Sequence, residues 1–227
     1  MEKLTSKKAI ELLFKDVIKE NNDILKPENR WIMHCLHVGY AAGRIAKKLE
    51  LDEDYALALG FIHDIGRKIS HPKHPIEGYE YMKKCGFEKE GEICLTHSFI
   101  NNDINLVAGG APSDSDEYLY IDSFLKGKVP NIYDNIVKLC DLFCLDKGFT
   151  TVEKRILDVY SRKGIYQYSK EHFEATLKLK EVIEKELECS LYELFPEISK
   201  EDINSINEDS NKIMQMILES KKIIKKY

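Results

Sequence analysis

Apolar residues recur along most of the chain every three to four positions, which is the spacing of amphipathic helices. This pattern predicts helices over residues 5–20, about 30–49, 74–86, 88–97 and 130–145, and three or four more over 151–226. Residues 54–63 are apolar nearly all round, which predicts a helix buried at the centre of the fold. Polar loops are predicted over 66–73 and 101–116. No alternating run requires a sheet, so we predict one all-α domain over residues 1–227.

Charge and composition narrow the class of protein. The 227 residues include 34 Lys and Arg against 39 Asp and Glu, a formal charge of −5, which argues against a general nucleic-acid binder. A small anionic substrate is still compatible with this net charge, because the local electric field at a binding site matters more than the net charge of the chain. No run approaches the roughly 18 apolar residues of a membrane helix, and no secretory apolar block opens the chain. The six cysteines form no CxxC pair, so we expect reduced thiols, a cytoplasmic protein and no membrane partner.

Two carboxylates fall in apolar surroundings. Asp64 follows His63 at the end of the apolar segment 54–63, and Asp141 interrupts the apolar run 136–145. Burying a carboxylate costs several kcal/mol unless a cation or several donors compensate. For Asp141, Lys138 is the alternative partner, because it lies three residues earlier on the same predicted helix.

His34 adds an imidazole on a third predicted helix. At about 100° per residue it lies within the apolar stripe of Val38, Ala41 and Ile45, so it faces the core. His37 lies toward the edge of that stripe. A single core histidine is usually satisfied by a backbone carbonyl, but a shared divalent cation would account for His34, His63, Asp64 and Asp141 together. These ligand types suit Mn, Fe, Co, Ni or Zn better than Ca.

Two further histidines are candidates for a second ion. His74 follows the polar loop at the start of its predicted helix, and His97 ends the helix over 88–97. One carboxylate, Asp64, would then bridge two metals roughly 3.5–4 Å apart. The alternative is that His74 only caps its helix and that His97 is a surface residue beside a loop.

Five segments, in this order, resemble the HD superfamily of metal-dependent phosphohydrolases in its HDIG form: MHCLHVGYAAGRIAKKLEL (33–51), ALGFIHDIGRK (58–68), HPIEGYEYM (74–82), CLTHSF (94–99) and IVKLCDLF (136–143). The resemblance covers about residues 30–145 and implies an all-helical bundle. It assigns His34, His63, Asp64 and Asp141 to a first metal site, with His74 and His97 added for a second. The GYP signature of the cyclic-dinucleotide phosphodiesterase branch is absent, and Arg67 stands where that branch usually has Lys. The resemblance therefore implies a reaction class and no substrate.

We expect a phosphomonoesterase or phosphodiesterase that acts on a small phosphorylated molecule, with a nucleotide as the leading candidate and no stable nucleic-acid partner. One or two divalent transition-metal ions (Fe, Mn, Co, Ni or Zn, with Mg as a further candidate) would activate a hydroxide at Asp64. Arg67 and Lys68 are expected to act on the substrate phosphate and His71 to bind substrate, with solvated loop residues as the alternative. The competing functions are a di-iron oxygenase of the same superfamily and a non-catalytic nucleotide-binding or regulatory HD domain.

Overall fold

The computed structural model describes residues 3–19, 26–112 and 115–224. In these ranges the chain forms twelve α-helices, which confirms the all-α class: α1 (Ser6–Lys19), α2 (Arg30–Lys48), α3 (Glu53–Ile62), α4 (His74–Lys84), α5 (Glu88–Thr96), α6 (Ser115–Gly127), α7 (Ile132–Asp141), α8 (Val152–Lys163), α9 (Ser169–Leu187), α10 (Leu191–Leu194), α11 (Lys200–Asn204) and α12 (Ile206–Ile224). Short 3-10 turns occupy Pro27–Asn29, Ile65–Lys68 and Ile100–Asn102. Residues 20, 225 and 226, which the sequence pattern includes in helices, lie outside the described residues.

Two departures from the predicted elements stand out, since α6 has no predicted counterpart and the chain immediately after α7 is not helical. The helix predicted over 130–145 ends at Asp141, and a small antiparallel hairpin of β1 (Cys144–Leu145) and β2 (Gly148–Phe149) replaces its last turn. Gly148 has φ +129°, a conformation that few other residues tolerate, so the chain reverses there. The predicted loops also contain the 3-10 turns at 65–68 and 100–102. The region after residue 151 forms five helices, α8 to α12, where three or four were predicted.

The central packing is that of α2 against α3. Helix α3 is buried along most of its length, as its apolar sequence predicts. Gly39 and Gly60 lie where the two helices cross, and a Cβ added to Gly60 would stand 2.5 Å from the Gly39 Cα. The backbones therefore approach closely only because both positions lack a side chain. Helices α1 and α7 also pack on α3, and α7 packs on α2.

Local hydrogen bonds set where two of these helices begin. Asp52 caps α3 by accepting from the Tyr55 amide at 3.0 Å. Helix α7 starts with a capping box, in which Asn131 accepts from the Asp134 amide at 3.0 Å and Asp134 accepts from the Asn131 amide at 3.1 Å. Such caps stabilise a helix by about 1 kcal/mol each and set its register. Because the register is set at the start of each helix, it also determines which side chains lie at the other ends of α3 and α7.

The C-terminal helices pack back onto the first part of the chain. Helix α9 contacts α7 and the 3-10 turn at 100–102, and α8 packs on α12. The Tyr166 hydroxyl, in the segment between α8 and α9, donates to the Asn105 carbonyl at 3.2 Å. Helix α8 is thereby held beside the loop of residues 103–112.

Two sequence expectations concern the surface and the thiols. None of the described helices is both long and apolar enough to cross a bilayer. All six cysteines are free thiols, as predicted, and Cys35, Cys94, Cys140 and Cys144 are buried.

The close crossing of α2 and α3 predicts the effect of one methyl group. Gly60→Ala should lower the free energy of unfolding by about 1–3 kcal/mol, because the new Cβ meets backbone atoms that have no room to move. Chemical denaturation followed by circular dichroism measures this change.

Gly127→Ala is the matched control, because a Cβ at Gly127 meets nothing within 4 Å. Its effect should be within about 0.5 kcal/mol of zero or slightly stabilising, as expected for Ala in place of Gly at a helix end. Equal losses in the two variants would contradict the close crossing.

Candidate metal centre

The ends of five helices meet at one end of the bundle, and each brings a histidine or an aspartate. His34 lies in the second turn of α2, His63 and Asp64 follow α3, and His74 begins α4. His97 follows α5, and Asp141 is the last residue of α7. The structure brings all six predicted metal ligands into this one cluster.

Three of these side chains form the first half of the cluster. His34 Nε2 lies 2.9 Å from Asp141 Oδ1 and 3.3 Å from His63 Nε2. His63 Nε2 lies 3.9 Å from the same Asp141 oxygen. The three atoms all lie within 4.8 Å of one another, which is close enough for one metal ion to contact all three.

Asp64 joins the first half to the second. Its Oδ1 atom lies 3.1 Å from His74 Nε2 and 3.4 Å from His97 Nε2. Its Oδ2 atom lies 3.8 Å from His63 Nε2. One carboxylate oxygen therefore faces each half of the cluster, which is the orientation that a bridging ligand needs.

Backbone carbonyls orient the histidine rings. His63 Nδ1 donates to the Gly60 carbonyl at 2.7 Å, and His97 Nδ1 donates to the Cys94 carbonyl at 3.0 Å. His74 Nδ1 donates to the His71 carbonyl at 2.9 Å. A neutral imidazole with its proton on Nδ1 presents a lone pair at Nε2, and in all three rings Nε2 faces the cluster.

Two buried atoms of the cluster have no hydrogen-bond partner. They are Asp64 Oδ1 and His74 Nε2. An unpartnered buried carboxylate oxygen costs free energy that a metal ion would recover. Imidazole nitrogens and carboxylate oxygens are also the donors that Mn, Fe, Co, Ni and Zn accept. The residues present therefore fit one or two divalent transition-metal ions.

The protonation states of His63, His74 and Asp64 agree with a ligand role, whereas the pKa of His97 shifts in the opposite direction. Burial lowers the pKa of His63 to about 3 and that of His74 to about 4, so both rings are neutral at pH 7. Burial raises the pKa of Asp64, but His74 and Arg67 outweigh it and hold that pKa well below its usual range. Burial lowers the pKa of His97, but its contact with Asp64 outweighs this and leaves the pKa raised.

Asp141 does not pair with Lys138. Lys138 is buried on α7, and its Nζ donates to Asn102 Oδ1. Burial lowers the pKa of Lys138 to about 8, partly offset by the charge of Asp134. The ion-pair interpretation of Asp141 is therefore wrong, because the lysine points toward the 3-10 turn at 100–102 while the carboxylate faces His34. Desolvation raises the pKa of Asp141, but the hydrogen bond with His34 prevails and lowers it.

The family model for the HD domain matches residues 31–145, which is half of the chain. The chain belongs to the HD-domain family. The match confirms the resemblance to the HD superfamily predicted over about residues 30–145, and all six clustered side chains lie within it. The same comparisons found no curated protein and no solved structure with significant similarity to the chain.

The cluster lies at the floor of a cavity of the HD domain. The cavity has a volume of about 970 Å³, and it is lined by His34, Asp64, His74, His97 and Asp141 among others. His63 is fully buried behind them. Asp141 keeps 23% of its side-chain surface exposed, because it faces this space. A pocket of this size holds a small molecule beside the cluster.

The three residues predicted to bind substrate are placed differently from one another. Arg67 lines the cavity, and its Nε donates to Asp64 Oδ2. Its Nη1 lies 3.2 Å from His71 Nδ1, and His71 is exposed outside the cavity lining. Lys68 is not among the lining residues, because its Nζ donates to the Leu12 carbonyl and stands 5.5 Å from the centre of the Tyr81 ring. The structure therefore brings only Arg67 of the three to the cavity.

His37, which sequence analysis left outside the ligand set, lies apart from the cluster. Its Nδ1 is 2.7 Å from the Leu145 carbonyl, and its ring packs edge-on against Phe149 of β2. These contacts hold the hairpin against α2.

Part of the cavity wall comes from helices that the sequence analysis did not assign to the site. Arg155, Arg162 and Lys163 of α8 and His172 of α9 line it. The spacing of Arg155, Arg162 and Lys163 could have shown that they share one face of a helix, although it does not show that this face meets the cavity. His172 is buried, its Nδ1 lies 2.8 Å from the Tyr160 hydroxyl, and burial lowers its pKa to about 4.

Metal content of purified variants tests the cluster directly. Asp64→Ala should lose both metal equivalents, because Asp64 faces both halves of the cluster. His74→Ala and His97→Ala should each lose one equivalent. Inductively coupled plasma mass spectrometry, with circular dichroism as the check on folding, gives the stoichiometry.

His37→Ala is the control variant, because His37 is a histidine of the same helix as His34 with no contact to the cluster. It should keep its metal content. Metal loss in His37→Ala together with full retention in Asp64→Ala would show that the ligands are assigned incorrectly.

Proposed function

We propose that this HD domain is a metal-dependent phosphohydrolase that cleaves the phosphoester of a small molecule, with a nucleotide as the leading candidate. One observation carries the proposal. The cluster of four histidines and two aspartates, with the unpartnered Asp64 Oδ1 atom, lies at the floor of a cavity whose walls are rich in cations. A metal cluster that opens into a cationic cavity suits hydrolysis of a phosphate ester.

The charges of the cavity favour an anionic substrate. Among the described residues, six Lys and Arg side chains line it: Arg30, Arg67, Lys73, Arg155, Arg162 and Lys163. Four carboxylates line it as well, and two of them, Asp64 and Asp141, belong to the metal cluster. The walls beyond the cluster are therefore positively charged on balance. This positive charge favours a phosphoester substrate. An oxygenase, by contrast, can also act on uncharged substrates.

In this proposal His34, His63 and Asp141 would hold one ion, His74 and His97 would hold a second, and Asp64 would serve as a ligand for both. Such ions, when bound, lower the pKa of a coordinated water toward ~7 and offset negative charge on phosphoryl oxygens. The carbonyls of Gly60, Cys94 and His71 keep the rings oriented for this role.

Arg67 is the chain's own cation nearest to the reacting group in this proposal. Its Nε donates to Asp64 Oδ2, and the residue lines the cavity. A planar guanidinium so placed would donate hydrogen bonds to phosphoryl oxygens as negative charge develops there. We assign His71 to positioning Arg67 and Lys68 to holding α1 against the turn at 65–68.

Hydrolysis is tested on metal-reconstituted protein with a panel of phosphomonoesters, phosphodiesters and nucleotides in Mn, Co, Ni or Mg. We expect turnover of at least one class, measured as released phosphate or by chromatography of the product. Arg67→Gln should lower kcat/KM by roughly 10²–10³-fold, as for loss of one charge-stabilising donor. Lys68→Gln, the adjacent cation, should stay within about twofold because its ammonium contacts Leu12.

The two competing functions have their own signatures in this experiment. Oxygen uptake with substrate and a mixed-valent di-iron spectrum would replace hydrolysis by oxygenation. Full metal loading with nucleotide binding and no turnover across the panel would instead support a regulatory HD domain.

A further inference from the structure

Helix α8 contributes a group of cations to the wall of the cavity. Arg155, Arg162 and Lys163 follow one another at spacings of seven and one residues, so they lie on one face of the helix together with Val159. All four residues line the cavity. We call the three cations the α8 cation cluster. They lie after residue 145, outside the part of the chain that matches the HD-domain model.

This cluster has more positive charge than its own ion pairs offset. Arg155 Nη1 lies 3.3 Å from Asp158 Oδ2, and Arg162 Nη2 lies 2.7 Å from the same oxygen. One carboxylate therefore serves two guanidinium groups. Lys163 adds a third cation, and its Nζ lies 3.4 Å from the neutral Ala108 carbonyl. Three positive charges and one negative charge leave an excess of +2.

The cations are also close enough to repel one another and Arg67, which contacts Asp64. Partial burial lowers the pKa of Lys163, and the positive charges of Arg67, Arg162 and Arg155 all oppose its protonation, whereas the Asp141 charge favours it. Like charges gathered on one wall destabilise the empty protein. A bound anion would remove this repulsion.

The loop before α6 packs against the stem of Lys163 at Gly109. Gly109 has φ +99°, and a Cβ there would stand 2.4 Å from Lys163 Cδ. The loop thus packs directly against the lysine stem only because residue 109 has no side chain. The lysine ammonium is consequently held at the cavity wall.

We propose that the α8 cation cluster is a second anion subsite, so that the substrate is a small molecule with two phosphate groups at separate positions. This proposal rests on the proposed function, because one phosphate must lie at the metal cluster. The excess charge of +2 matches a phosphate monoester, which has a charge of about −1.5 to −2 at pH 7.

Two further features indicate that the α8 cation cluster binds a second phosphate group and does not simply add contacts to the first one. The first phosphoryl group already has the metal cluster and Arg67 as partners. The cavity, at about 970 Å³, has room for the body of a molecule between the two sites. Trp31, Phe99 and Val107 supply apolar surface along its wall.

Non-hydrolysable probes of graded length test the subsite. Isothermal titration of metal-loaded protein compares straight-chain alkane-α,ω-bisphosphonates of three to eight carbons with alkyl monophosphonates of the same length. At the best chain length the bisphosphonate should bind about tenfold more tightly or better, as expected for added charge-assisted hydrogen bonds. The monophosphonates report on the metal cluster alone.

Variants assign the gain to α8. The double variant Arg162→Gln/Lys163→Gln should bind the bisphosphonate no more tightly than the monophosphonate and should keep its metal content. The double variant Lys170→Gln/Lys178→Gln makes the same charge change on α9 at residues outside the cavity lining, and it should keep the bisphosphonate advantage. Melting temperatures check that both variants fold.

The outcomes separate this proposal from the proposed function. Equal affinity for bisphosphonates and monophosphonates at every length would overturn the second subsite and leave the metal cluster in place. Equal loss of the advantage in both double variants would also overturn it, since the effect would then come from total charge. If no phosphonate binds to the metal-loaded protein, the proposed function and the second subsite both fail.

Discussion

Asp64 is charged and almost fully buried, and the organisation of this end of the bundle depends on what offsets that charge. Arg67 satisfies one of its oxygens, while the other faces His74 and His97 without a hydrogen bond. A carboxylate in this position would ordinarily become protonated or move to solvent. It stays ionised here because cationic and imidazole groups surround it. The same demand for positive charge is what a divalent ion would satisfy.

The helices around this carboxylate act as a scaffold that fixes the distances. The glycine crossing of α2 and α3 brings His34 next to His63, and the capping box of α7 sets the register that ends at Asp141. Backbone carbonyls at helix ends then hold the histidine rings. The cluster therefore needs few side chains beyond its own ligands for orientation, which leaves the cavity above it free for contacts with substrate.

Much of this arrangement follows from the sequence for physical reasons. Helical periodicity placed His34 on the core side of α2, and the cost of burying Asp64 pointed to a cation before any fold was known. The position where α7 ends could not be predicted from the sequence, because the apolar residues Leu142 and Phe143 fit a longer helix as well as a hairpin. Arg67 and Lys68 are neighbours in a 3-10 turn, and their side chains point in different directions. Which of the two faces the cavity depends on tertiary contacts, so the sequence alone did not predict it. The α8 cations reach the cavity only through long-range packing, which no local pattern encodes.

The central claim is that the six side chains converge because they bind divalent metal. Crystals of the protein purified without chelators, with diffraction recorded at the absorption edges of Mn, Fe, Co, Ni and Zn, test it most directly. The account predicts an anomalous peak within coordination distance of His34, His63, Asp64 and Asp141 and, where two ions bind, a second peak beside His74 and His97 about 3.5–4 Å from the first. Density without any anomalous peak after soaking in these metals, with Asp64 Oδ1 bonded instead to water or to a protein donor, would contradict it.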